Sequence, residues 1–262
     1  MYVRGPLYDT MIAHYLINPD GRHNLDFLAE RYLSYKCKPI SDLIGPKGKN
    51  QKNMKDVLVE DQKEYAVEDA DITLQLKDFF DQMDKNIQSA KLLNEVEFPL
   101  INVLSKMESE GFNLDSTFLG QMEIDLNKEI EELEKIIFES SGEVFNLSSP
   151  KQLGVILFEK LNLVDKPKKT RTGQYSTSEE VLSFLGKKHK IIEDILNWRS
   201  INKLQTTYVK ALPGEINAKT NRIHTVFNQA VASTGRLTSN KPNLQNIPIR
   251  TKKGQLIRKA FI

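Results

Sequence analysis

The sequence predicts an α+β fold that is predominantly α-helical and closes on a small antiparallel β region. Three observations carry that reading. Apolar residues recur at three- and four-residue spacing from Ile12 to Val209. After Pro213-Gly214 this gives way to a β-branched alternation over 222–229. Apolar residues make up 39 % of the 262 positions, enough for a packed core rather than a disordered chain.

The elements follow in order. Segment 8–33 reads as two helical stretches around the turn Asn18-Pro19-Asp20-Gly21, with Ile12, Tyr15 and Leu16 on one face and Leu25, Leu28, Ala29 and Tyr32 on the next. Segment 45–53 is a Gly/Lys/Asn loop. It lacks the GxxxxGK[ST] spacing that cradles nucleotide phosphates. Segment 56–84 is a helix carrying Val57, Leu58, Tyr65, Asp69, Leu74 and Phe79, and 92–110 is another, with Pro99 near its start. In 116–139 the stripe Leu119, Met122, Leu126, Ile130, Leu133 and Ile137 runs between acidic faces. Ser149-Pro150-Lys151-Gln152 and Thr177-Ser178-Glu179-Glu180 have the pattern of capping boxes, with Ser149 and Thr177 as caps. Between them lies the basic loop Lys166-Pro-Lys-Lys-Thr-Arg-Thr-Gly173. Segment 190–210 is helical and holds the one tryptophan, Trp198.

Charge and cysteine content narrow the function classes. The single cysteine, Cys37, excludes an intramolecular disulfide and a zinc-finger cluster and reads as an inert, buried or half-buried thiol. The four histidines, His14, His23, His189 and His224, show no metal-ligand spacing. No apolar run approaches the roughly 20 residues of a membrane span, and Arg4, Asp9 and His14 interrupt the opening segment, so a reducing, cytoplasmic setting is expected. The net charge of +2 hides an asymmetry. From Ile216 onward there is no acid but nine basic residues, which leaves the preceding chain net acidic and points to a polyanionic partner.

Three constellations carry chemistry. Tyr65 and Asp69 stand one helical turn apart, so a metal-holding carboxylate and a water-orienting phenol share a face. Asp9 could add a second carboxylate; each of these also has an ordinary reading, as a helix-surface pair and as an N-terminal helix acid. In STGRLTSNKPNLQNIPIR, residues 233–250, Arg236, Asn243, Gln245 and Asn246 crowd donors into an acid-free stretch. Such side chains suit the acceptors on the minor-groove edge of DNA, where A·T and T·A look alike. The basic loop, with Lys168, Lys169, Arg171 and Ser176, places cations and hydroxyls before a helix start and suits phosphate.

YDTMIAHYLIN, GRHNLDFLAERYL, YAVEDADITLQL, FNLSSPKQLGVILFEKL, STSEEVL and TGRLTSNKPNLQNIPIR occur in that order along nearly the whole chain. Together they resemble the A family of DNA polymerases, in its bacterial DNA polymerase I branch. The resemblance implies three parts. Residues 1–91 would be the C-terminal part of a ribonuclease H-like 3′–5′ exonuclease domain, 92–208 a helical thumb, and 209–262 the start of the polymerase palm. It implies Asp9 and Asp69 as exonuclease metal ligands for Mg2+ or Mn2+, with Tyr65 orienting the hydrolytic water. It implies primer–template contact by Arg236, Asn243, Gln245 and Asn246, and backbone tracking by Lys168, Lys169, Arg171 and Ser176. Met54 stands where the family tends to carry an aromatic. The family's Asp-x-Glu exonuclease strand and its palm aspartates fall outside these residues, so an incomplete exonuclease site and no polymerase chemistry are expected of this stretch alone. The longer protein would extend a primer on a DNA template in replication and repair, consuming deoxynucleoside triphosphates and proofreading single-stranded 3′ ends. A monomeric, nucleoid-associated protein without membrane attachment is expected. The alternatives are a non-enzymatic DNA-binding fragment and a stand-alone, ribonuclease D-like exonuclease.

Overall fold

The computed structural model describes residues 5–83 and 87–262. Arg4 and the last position of the expected 56–84 helix lie outside them. The chain divides into two compact units, one made of residues 5–111 with 225–245, the other of 112–224 with 246–262. Among the described residues helices predominate and the strands form two two-stranded antiparallel sheets, as the α+β reading expects. None of these helices is long and apolar enough to cross a membrane.

In the first unit, α1 (Thr10–Ile17) starts where the Asp9 carboxylate accepts from the Ile12 amide at 3.0 Å, the short capping bond that orphan helix amides seek. The turn at 18–21 follows, then α2 (Leu25–Leu28) and one wide helical turn to Leu33. Beyond α3 (Ser41–Ile44), the long α4 (Val59–Met83) buries Ile72, Leu76 and Phe80 against Ile12, Leu28, Ala29 and Cys37. Of the apolar residues carried by this segment, Leu58 and Leu74 are exposed. The buried line is 72–76–80, and its spacing runs back through Asp69 to Tyr65. A carboxylate and a phenol thus extend the inward face of α4 where aliphatic side chains would otherwise stand. After α5 (Ile87–Leu92), the expected helix at 92–110 opens with a wide turn over 93–97 before α6 (Phe98–Glu110). Pro99 sits in the first turn of α6, where its missing amide costs nothing.

In the second unit, α7 (Ser116–Ser141) is capped by Asp115, which accepts from the Phe118 amide at 2.8 Å, and ends at Gly142 with φ +72°. Its buried line Leu119, Met122, Leu126, Ile130 and Ile137 is the one the sequence predicts, with Leu133 half-buried beside it. It packs on α10 (Lys190–Leu204), which buries Ile192, Ile195, Trp198 and Ile201. The Trp198 indole donates to Glu134 at 2.9 Å, and the Gln205 amide donates to Asn127.

Two capping details differ from expectation. At α8 (Pro150–Val155) Ser149 caps, but Gln152 turns its carbonyl to the Asn146 amide at 2.7 Å instead of back to Ser149. At α9 (Glu179–Gly186) the cap is Ser178, not Thr177. Thr177 is buried, and its carbonyl accepts from Arg199 at 2.6 Å, which leaves the next hydroxyl to face the helix amides.

The β region also departs from the single strand expected at 222–229. After α11 (Ala211–Gly214), β1 (Ile216–Asn217) pairs with β2 (Arg222–Ile223) in the second unit. β3 (Val226–Asn228) pairs with β4 (Thr238–Asn240) in the first. The alternation is interrupted at Thr225, whose buried hydroxyl lies 3.0 and 2.8 Å from the carbonyls of Asn240 and Pro242 and fixes the start of the second hairpin. The second unit closes with α12 (Lys252–Lys259), capped by Thr251 and paired to α7 through Lys253 and Glu129.

Candidate nucleic-acid interface and carboxylate site

The strip at 233–250 consists of exposed side chains on anchored backbone. Arg236, Asn243, Gln245 and Asn246 are all exposed. In the first unit, the strip's approach is the β3–β4 connection. The Phe227 amide donates to Glu108 at 2.6 Å, and the Gln229 side chain donates to both the carbonyl and the carboxylate of Glu97. Further on, the Leu244 amide donates to Ser239 at 2.9 Å, and the Gln245 amide to Asn243 Oδ1 at 3.1 Å. In the second unit, the Tyr208 hydroxyl donates to the Asn246 carbonyl at 2.6 Å, while Ile247 is buried. Fixed backbone beneath exposed amides and a guanidinium lowers the entropy cost of presenting them to a ligand.

The basic loop of the second unit is a tight hairpin tip. The Thr170 amide donates to Gln174 at 2.7 Å, Gly173 turns with φ +81°, and the Ser176 amide donates to the Lys168 carbonyl at 2.8 Å. Lys168, Lys169 and Arg171 are exposed, Ser176 is half-buried, and the Lys169 ammonium lies 5.0 Å from the centre of the Tyr175 ring. Behind the tip runs a groove of about 600 Å³ that includes Ser176, Ser178, Arg199, Asn202 and Lys203. Sequence reasoning passed over Arg199 and Lys203. Their i, i+4 spacing on α10 is the sequence signal for them. The half-buried Arg199 is locked to Thr177, and burial lowers its proton affinity.

The carboxylate site lies in the first unit. Burial is the main cause that pushes the Asp69 carboxyl above its ordinary range; the negative charges of Glu68 and Asp26 add to it, and a hydrogen bond from Tyr65 opposes it. The Tyr65 phenol is likewise raised, by burial first and then by Asp69 and Asp26. Glu68 is held by the Tyr35 hydroxyl at 2.6 Å and the Lys38 amide at 2.9 Å. Asp26, on α2, is thus a neighbour of the Tyr65–Asp69 pair that spacing could not reveal. Asp9 is engaged as the α1 cap and is not among the charges acting on Asp69. Among the described residues no group of three or more His, Cys, Asp or Glu side chains is arranged to hold a metal ion. The donors fit a hard divalent cation in kind, being carboxylate oxygens, but Asp69, with Asp26 as its neighbour and Asp9 engaged as a helix cap, falls short of a complete shell.

Cys37 is buried and its thiol is raised, by burial first, in line with an inert role. His14 and His23, which show no ligand spacing in sequence, meet directly, Nδ1 to Nδ1, at 2.7 Å.

Residues 116–262 match the model of DNA polymerase family A, and residues 2–85 match that of a 3′–5′ exonuclease. A DNA polymerase I of Pseudomonas aeruginosa is 43 % identical over 99 % of the chain, which spans 29 % of that relative. For the DNA polymerase I of Borreliella burgdorferi the identity is 44 %, over 98 % of this chain and 27 % of the relative. Among solved structures, the POL domain of Pol1 from M. smegmatis, in complex with DNA primer-template and dNTP, superimposes with a TM-score of 0.78 at 35 % identity. That match covers 97 % of this chain and 41 % of the other. The chain therefore spans 27–29 % of these curated relatives and less than half of the solved chain.

Proposed function

The chain belongs to DNA polymerase family A, and from that premise we propose that it is the portion of a DNA-directed DNA polymerase that grips primer–template duplex and supplies part of a 3′–5′ proofreading site. The observation that carries the reading is the strip Arg236, Asn243, Gln245 and Asn246: four donor side chains, all exposed, on backbone anchored by buried neighbours. Its targets are minor-groove acceptors, which lie at similar positions whatever the base pair. The exposed Lys168, Lys169 and Arg171, with Ser176, serve the phosphate backbone, and the groove beside Arg199 and Lys203 extends that basic surface. The match of the Pol1 domain solved with primer-template and dNTP supports this assignment of partner.

The proposed parts are exonuclease over 1–91, thumb over 92–208 and palm start over 209–262. In the proofreading site Asp69 and Asp9 would hold Mg2+ or Mn2+, which when bound supplies Lewis-acid activation of water and charge neutralisation at phosphorus. The chain's own residues do the rest. Tyr65 stands one turn from Asp69 on the same face of α4, where its phenol would orient the attacking water. Glu68, beside Asp69 on α4, accepts from the Tyr35 hydroxyl and the Lys38 amide and so ties this stretch of the helix to the segment 35–38. Primer extension and nucleotide selection belong to the longer protein.

The test is a titration of the purified chain with primer–template at two salt concentrations. Binding that weakens steeply with salt and is indifferent to base sequence is expected; binding that does not respond to salt, or no binding, contradicts the reading.

A further inference from the structure

The turn that leads into Arg236 is held from below by a single phenol. Tyr15, on α1, is only 4 % exposed. Its hydroxyl donates to the Ala232 carbonyl at 2.6 Å and accepts from the Gly235 amide at 3.0 Å. That amide also lies 3.1 Å from the Ala232 carbonyl, so the hydroxyl spans the two ends of a four-residue turn. Gly235 takes φ +76°, a backbone state that other residues enter at a cost, and Arg236 follows it directly. The turn itself is otherwise weakly held. Ser233, Thr234 and Gly235 are exposed, and the sheet pairing of β4 begins only at Thr238. The direction in which the Arg236 side chain leaves the backbone therefore depends on how firmly Gly235 is fixed.

We propose that Tyr15 is a positioning residue for Arg236: its hydroxyl, by bridging Ala232 and Gly235, sets the backbone from which the guanidinium is presented to duplex DNA. The proposal rests on the duplex-gripping function argued above and adds a residue from the other end of the sequence. Two observations separate the hydroxyl's role from packing. The Tyr15 ring is buried against α1's neighbours and meets His23 edge-on at 5.7 Å, contacts that a phenylalanine would keep. The hydroxyl oxygen carries both bonds to the turn. The same short helix begins at Asp9, so one rigid element carries a proofreading carboxylate at its start and the support of a primer-side turn near its end.

The experiment compares affinity for a primer–template duplex, by fluorescence anisotropy, among the wild-type chain, Tyr15→Phe, Arg236→Ala and the double variant. Nitrogen-labelled protein reports the Gly235 amide by NMR. The proposal expects Tyr15→Phe to weaken binding about threefold to tenfold, the effect of losing one hydrogen-bonded support. It expects no further loss when Arg236 is already alanine, because coupled residues are non-additive. It also expects the Gly235 amide of Tyr15→Phe to exchange faster with solvent. An equal loss in both backgrounds, or an unchanged Gly235 amide, overturns it. Should Tyr15→Phe lower the melting temperature too far for measurement, Gly235→Ala strains the same turn from the solvent side, where an added Cβ meets nothing within 4 Å. It must weaken binding and be non-additive with Arg236→Ala in the same way. If Arg236→Ala alone binds as tightly as wild type, the DNA-gripping reading fails and takes this proposal with it. A normal Arg236 effect with additive losses sinks the proposal alone.

Discussion

His14 and His23 meet through their Nδ1 atoms at 2.7 Å, and the far nitrogen of His14 lies 2.9 Å from the Tyr32 hydroxyl. One proton between the two Nδ1 atoms joins the pair in its neutral form, and a second proton would set two donors against each other. His14 is fully buried; burial first, then the charges of His23 and Arg31, lower its pKa from 6.5 to about 4. His23 is lowered too, chiefly by burial.

The sign of the pH dependence follows. As pH falls below 6.5 the unfolded chain takes up a proton that native His14 refuses until about 4. Stability is therefore complete above that window and declines through it, by up to about 3 kcal/mol for a fully buried group. Thermal melts from pH 7.5 to 4 should show the melting temperature dropping through this range, and a His14→Gln variant should show a shallower drop. Parallel curves for the two proteins would count against the histidine pair as the cause.

Gly254 is the second test of packing. A Cβ at this position in α12 would come within 2.6 Å of the Pro248 ring carbon Cβ, 2.8 Å of its backbone carbonyl oxygen and 3.0 Å of its carbonyl carbon. Because backbone cannot yield as a long side chain can, Gly254→Ala should cost about 1–3 kcal/mol in urea unfolding despite alanine's better helix propensity. Unchanged stability would mean that the contact between α12 and Pro248 is looser than described.

The cap of α7 is simpler. Asp115→Ala removes the acceptor for the Phe118 amide and should lower stability by about 1 kcal/mol, read as a modest fall in melting temperature, whereas Asp115→Asn should recover most of it.

In a longer protein that contains this chain, the proposed exonuclease role predicts that Asp69→Ala abolishes 3′–5′ digestion of a single-stranded end and leaves primer extension intact, because the proposal places Asp69 and Tyr65 in a site apart from polymerisation. Undiminished digestion in that variant would remove the exonuclease assignment.

Much of this was legible in the residues. The α7 stripe, the Ser149 cap, the turn at 18–21 and the exposure of the amide strip follow from spacing and residue chemistry, because each depends on neighbours within a turn or two of the chain. What sequence spacing missed depends on distant partners. Ser178 replaces Thr177 as a cap because Arg199 engages the Thr177 carbonyl. The expected strand at 222–229 becomes parts of two hairpins because Thr225 is claimed by carbonyls of Asn240 and Pro242. The buried line of α4 lies on Ile72, Leu76 and Phe80, which face Ile12, Leu28, Ala29 and Cys37, partners distant in sequence, while Leu74 stands on the opposite, exposed face. Asp26 reaches the Tyr65–Asp69 pair only through the packing of α2 on α4.

The central claim, that Arg236, Asn243, Gln245 and Asn246 grip the minor-groove edge of duplex without reading its letters, has one direct measurement. Affinities of the chain are compared for primer–template duplexes of shuffled sequence and for the same duplexes with 3-deazapurines, which lack the purine N3 acceptor in the minor groove. The account predicts equal affinity across shuffled sequences and clear weakening by 3-deazapurines near the primer end, a weakening that Arg236→Ala abolishes. Affinity that follows base sequence, or that ignores the missing acceptors, would contradict it.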